Sequence, residues 1–130
     1  MEQRIKILKD ANLISNEICD KIVNIYIKYF SNFERTDILD SFITHLSIAL
    51  ERMNKKESIE KLDEFIINDL KSKSNYNEVV KFWEDIEKKE RLNLSFEEKE
   101  YIYLHLINIL TPQTLLGVSN EKLSDWESSK

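Results

Sequence analysis

Apolar residues recur every three or four positions along most of this chain, the spacing of amphipathic helices rather than the alternation of half-buried strands. The pattern predicts five main helices, a short lead-in before them and a tail behind. The lead-in, Glu2 to Ala11, packs through Ile5 and Leu8. The first main helix begins at Ser15, a suitable N-cap, and runs to about Phe30 with Ile18, Cys19, Ile22, Val23, Tyr26 and Phe30 at helical spacing. The second spans Thr36 to Lys55 and carries Leu39, Phe42, Ile43, Leu46, Leu50 and Met53 on one stripe. The third covers Ser58 to Lys71 with Ile59, Leu62, Ile66 and Leu70. The fourth opens on Asn75-x-x-Glu78, a capping-box pattern, and presents Tyr76, Val79, Val80, Trp83 and Ile86.

The fifth helix is the most sharply delimited. Ser95-x-x-Glu98 is a second capping box, and Thr111-Pro112 stops the helix after Leu110. Between them only His105 and Asn108 interrupt an apolar run from Tyr101, so this helix should be central to its bundle. The division expected is 1–12 for the lead-in, 13–110 for the helical domain and 111–130 for a partly mobile tail that docks through Leu115, Leu116 or Trp126. The predicted fold class is all-α, a compact five-helix bundle.

Composition agrees. Glycine and proline each occur once in 130 residues, too few for the turns of an all-β fold or for a phosphate-binding glycine loop. One cysteine rules out an internal disulfide and a Cys-x-x-Cys pair. The start of the chain mixes charged and apolar residues, unlike a signal peptide, and the longest apolar run, Tyr101 to Leu104, is far short of a membrane span. A cytoplasmic protein without membrane contact is expected. A net charge of −5 with scattered lysines argues against direct nucleic-acid binding.

Candidate chemistry is sparse. Two histidines exist, His45 and His105, each inside a predicted helix. Seven residues make nearly two turns, so His45 shares a stripe with Arg52, and Glu98 shares one with His105. Antiparallel packing of the two helices would bring these four into one polar cluster; otherwise each histidine is an ordinary boundary residue. The acidic pairs Glu84-Asp85 and Glu97-Glu98 read as solvated faces or helix starts. Cys19 reads as core. The di-iron bundle pattern would need Glu at the places held by Phe42 and Ile102, so no metal is expected.

Two segments carry a resemblance. The stretch from Phe42 to Arg52 contains His45-Leu46-Ser47-Ile48-Ala49-Leu50-Glu51-Arg52 and resembles the first histidine motif of the PTS regulation domain (PRD), His-[Ile/Leu]-x-x-Ala-[Ile/Leu]-x-Arg. The stretch from Leu94 to Leu106 resembles the second, where an acidic residue, here Glu98, precedes the histidine by seven positions. The likeness covers Leu13 to Leu110. Thr44 stands where many members carry Asp, and Ser74-Asn75-Tyr76 replaces their Tyr-Pro.

The resemblance implies a bundle, commonly a homodimer, that serves sugar-responsive control of transcription through the bacterial phosphotransferase system. The chain resembles the PRDs of transcriptional antiterminators and activators, and a stand-alone copy is expected. It implies His45 and His105 as phosphoryl acceptors, with Arg52 and Glu98 as supporting neighbours. It also implies HPr or sugar-transporter (enzyme II) components as donors, no cofactor, and no catalysis of its own. His45, on a helix with a clear polar face, is expected to react first. Two rivals remain: a scaffold or adaptor with inert histidines, and a small metal-dependent enzyme using His45, His105 and Glu98.

Overall fold

A computed structural model describes residues 1–110, and among them there are only helices: α1 (Glu2–Asp10), α2 (Asn16–Ile25), α3 (Asp37–Lys55), α4 (Glu64–Lys71), α5 (Tyr76–Glu90) and α6 (Phe96–Ile109). Three start where a hydroxyl residue accepts from an orphan amide of the first turn. Ser15 takes the Ile18 N–H, Thr36 that of Leu39 and Ser95 that of Glu98, each at 3.2 Å. The scarcity of glycine shows at the helix ends. Asn12, Lys56 and Arg91 adopt left-handed backbone (φ 62°, 59° and 57°), where glycine is usual. At Arg91, for example, the Leu92 N–H then reaches the Glu87 carbonyl at 2.9 Å.

Helix α6 is the hub. It packs on α3, α5 and α4, and Ile102 and Leu106 are fully buried. Residues Ile18, Ile22, Ile25, Leu39, Phe42, Ile43, Leu46, Leu50, Val79 and Trp83 complete one continuous core, with Cys19 inside it. Ile5 of the lead-in is fully buried too, so α1 belongs to this core.

Three expectations are corrected. The first main helix is not α-helical to Phe30: its last turn, Tyr26–Phe30, is a π-helix. Five-residue spacing places Ile25 and Phe30 together in the core, both at 0% exposure, while Tyr26 is only partly buried. Phe30 thereby sits among Phe33, Phe42 and Phe82, with ring centroids 5.9, 5.1 and 5.7 Å away. The third helix begins at Glu64, not Ser58. Asp63 caps it by accepting from the Phe65 N–H at 2.8 Å, and Ile67, not Ile66, joins Leu70 inside. Residues 57–63 form no regular element and are tied by the Tyr101 hydroxyl, which donates to the Glu60 carbonyl at 2.9 Å. Asn75 stands at the N-cap of α5 but makes no side-chain cap. Its amide nitrogen instead donates to the Ile107 and Leu110 carbonyls, at 3.2 and 3.4 Å, closing the end of α6. The tail from Thr111, with Leu115, Leu116 and Trp126, lies outside the described residues.

Candidate functional site

Helices α3 and α6 run antiparallel across the core. Phe42 and His105 meet at one level (centroids 6.1 Å), His45 and Tyr101 at the next (5.5 Å), Arg52 and Glu98 at the last. The four residues singled out by spacing therefore lie along one seam. His45 and His105 stack, with centroids 5.1 Å apart and rings inclined by 27°. Glu98, only 4% exposed, takes both forks of Arg52: Nε donates to Oε2 at 2.7 Å and Nη2 to Oε1 at 3.1 Å. Such a bidentate, charge-assisted pair is stronger and more directional than a neutral hydrogen bond. The capping box at Ser95 is half formed, because Glu98 spends its carboxylate on Arg52 instead of returning to the cap. The acidic pair Glu97-Glu98 is thus no solvated face at its second residue.

The rings differ. Nε2 of His45 is buried and has no hydrogen-bond partner among the described residues; the nearest acid, Glu98 Oε1, is 3.8 Å away. Burial, the neighbouring His105 and the Arg52 cation push the His45 pKa down to about 4, with Glu98 opposing, so this ring is neutral at pH 7. His105 places Nδ1 at 2.9 Å from the Tyr101 carbonyl, one turn back along α6. It lines a groove of about 310 Å³ with Asp37, Ile38, Ser41, Leu104 and Asn108. The sequence pattern makes His45 the more open ring; in the structure its Nε2 is buried, while the His105 ring lines this groove.

Periodicity missed several neighbours. Tyr101, which stacks on His45, was legible only as an apolar position, though it stands one turn before His105 on the same face. Thr44 accepts from Arg4 Nε at 3.1 Å, and Arg4 also faces Asp40 at 3.9 Å, so the lead-in helix is pinned beside the first histidine. Glu100 is 4% exposed with Oε1 unpartnered among the described residues, and nothing in the pattern marks it as buried. His45, His105 and Glu98 do converge, yet among the described residues no three acidic, histidine or cysteine side chains are grouped as a metal site requires. No described helix is long and apolar enough to cross a membrane.

Fold and seam together define an all-helical bundle whose two central helices present a histidine pair backed by a buried ion pair. The chain belongs to the PRD domain family, which it matches over residues 8–109, so the family's extent reaches back into α1. It is 27% identical over 112 residues to "Uncharacterized protein YhfY" of Escherichia coli (strain K12), covering 84% of this chain and 93% of that relative. No solved structure gives a significant match. PRDs are regulatory domains linked to the phosphotransferase system, not catalysts, and that general role comes with membership.

Proposed function

We propose that this chain is a phosphorylation-responsive module in sugar-dependent control of transcription, signalling through protein contacts rather than by touching nucleic acid. The observation that carries the reading is the stacked His45–His105 pair beside the Arg52–Glu98 ion pair. A neutral imidazole keeps a nucleophilic nitrogen at pH 7. In the step proposed, that lone pair forms a bond to phosphorus. The bond from phosphorus to the donor histidine of HPr or an enzyme II component breaks, and its electron pair returns to the donor ring. The new group brings negative charge and three acceptor oxygens next to a carboxylate and a guanidinium. That added charge acts through the stacked rings on the neighbouring Glu98 carboxylate and Arg52 guanidinium, and the α3–α6 seam repacks. A homodimer built on these helices would carry that local change to a partner.

The test is incubation with phosphoenolpyruvate, enzyme I, HPr and, in turn, enzyme II domains. The expected product is an acid-labile increment in intact-protein mass spectra at neutral or basic pH, absent from the His45→Ala, His105→Ala double variant. If the donors label an established PRD and never this chain, the scaffold reading replaces this one. Light scattering checks the second half: a monomer at micromolar and higher concentrations, labelled or not, would remove the dimer from the account.

A further inference from the structure

We infer that the stacked pair accepts a single phosphoryl group, on Nε2 of His105, and that His45 is a positioning ring closed to reaction. This deepens the phosphorylation reading of the same site and rests on it for its biological donor, but the chemistry follows from the geometry of the two rings.

The tautomer of His105 is fixed by its neighbour. A backbone carbonyl can only accept, so the 2.9 Å contact with the Tyr101 oxygen requires the proton on Nδ1. The lone pair is then on Nε2, which has no hydrogen-bond partner among the described residues. The ring belongs to the wall of an open groove whose polar lining is the Ser41 hydroxyl, the Asn108 side chain and one carboxylate, that of Asp37. His45 is its opposite. Its Nε2 is sealed from solvent, and the space it faces is occupied by the Glu98 carboxylate at 3.8 Å, both of whose oxygens are already held by Arg52. A phosphoryl dianion on that nitrogen would have neither room nor hydration, and would stand against a buried like charge.

The stack also makes the two sites exclusive. With centroids 5.1 Å apart, a phosphoryl group on one ring raises the negative potential at the other in a partly dehydrated seam. What His45 supplies is orientation: it stacks on both the Tyr101 and the His105 rings, at 5.5 and 5.1 Å, and holds the latter at the groove.

A small chemical donor separates this inference from the identity of any protein donor. Potassium phosphoramidate carries its phosphoryl on an already protonated nitrogen. The His105 Nε2 lone pair forms the new N–P bond, the old P–N bond breaks, and ammonia leaves with the electron pair. On the folded full-length chain we expect at most one increment, mapped to His105 and assigned to Nε2 by long-range proton–nitrogen NMR. The same chain in urea should take two. His105→Phe should take none when folded. His45→Phe, which keeps an aromatic ring in the stack, should label like the wild type, whereas His45→Ala should label His105 several-fold more slowly.

Two increments on the folded chain, or a first increment on His45, overturns the inference. So does an unlabelled folded chain under conditions that label free imidazole. If phosphoramidate labels His105 once while no protein donor does, the sensor reading fails and this one stands. If protein donors place two groups on the pair, this inference fails and the sensor reading stands.

Discussion

The two ends of the α3–α6 seam solve the burial of polar groups in opposite ways. At the Arg52–Glu98 end a carboxylate buried to 4% exposure is matched twice over, at 2.7 and 3.1 Å. At the histidine end, two rings stack, and the buried nitrogen of His45 is left with nothing to bond among the described residues. A satisfied pair is a fixed point, whereas the His105 ring in the wall of a groove is a place where a group can be received. The seam is thus a locked end that registers strain and an unlocked end that can receive a group.

Breaking the locked end should have the largest effect. Arg52→Ala leaves the Glu98 charge buried without its partner and should cost about 3 kcal/mol in urea unfolding, near the low end for a broken buried pair because Arg52 keeps some solvent contact. Replacing both, as Arg52→Met with Glu98→Leu, should recover most of that loss. If the single and double variants are equally unstable, the charge-burial argument fails.

The unlocked end should show itself through pH. The folded pKa of His45, about 4, lies below its unfolded value of 6.5, so below pH 6.5 the unfolded chain binds the proton more readily. The stabilising contribution is whole above pH 6.5 and is lost as pH falls toward 4, on the order of 2 kcal/mol once partial exposure is allowed for. His45→Phe should therefore flatten stability against pH across that window. An unchanged slope would mean that His45 titrates normally.

A gentler probe of the locked end is Ser95→Ala, which removes the hydroxyl that accepts the Glu98 N–H without touching a charge. A loss of about 1 kcal/mol is expected in the same unfolding assay. Least of all, and away from both ends, Arg91→Gly should raise stability by roughly 0.5–1 kcal/mol by relieving a left-handed backbone at a non-glycine residue. It should leave histidine labelling unchanged, so it calibrates how far stability alone moves the site.

Much of this was legible in the sequence because helical spacing fixes which residues share a face. Leu39, Phe42, Ile43, Leu46 and Leu50 marked the buried stripe of α3. The seven-residue offsets from His45 to Arg52 and from Glu98 to His105 put four polar side chains on facing stripes. What stayed hidden was decided by contacts between elements. Ser58 looks as good a helix start as Asp63, but the chain from 57 to 63 forms no regular element and is held to α6 by Tyr101. Asn75 has the form of a cap, yet the carbonyls at the end of α6 claim its side chain. The π turn at Tyr26–Phe30 answers the demand to bury both Ile25 and Phe30, which no single-helix pattern expresses. For the histidines, spacing names a face but not a ring atom. Which nitrogen is sealed and which is offered depends on the Tyr101 carbonyl and on Glu98, each brought in by the fold.

The central claim is that the stacked histidine pair on this seam receives the signal as a phosphoryl group. Ring nitrogen-15 spectra of the full chain, recorded at neutral pH before and after incubation with phosphoenolpyruvate, enzyme I, HPr and an active enzyme II domain, test it most directly. At the start His45 is expected to be neutral and His105 to carry a proton on Nδ1 against the Tyr101 carbonyl; afterwards a phosphorylated nitrogen is expected at Nε2 of His105, with His45 still unmodified. Spectra that stay the same for both rings, while the same mixture phosphorylates an established PRD, would contradict it.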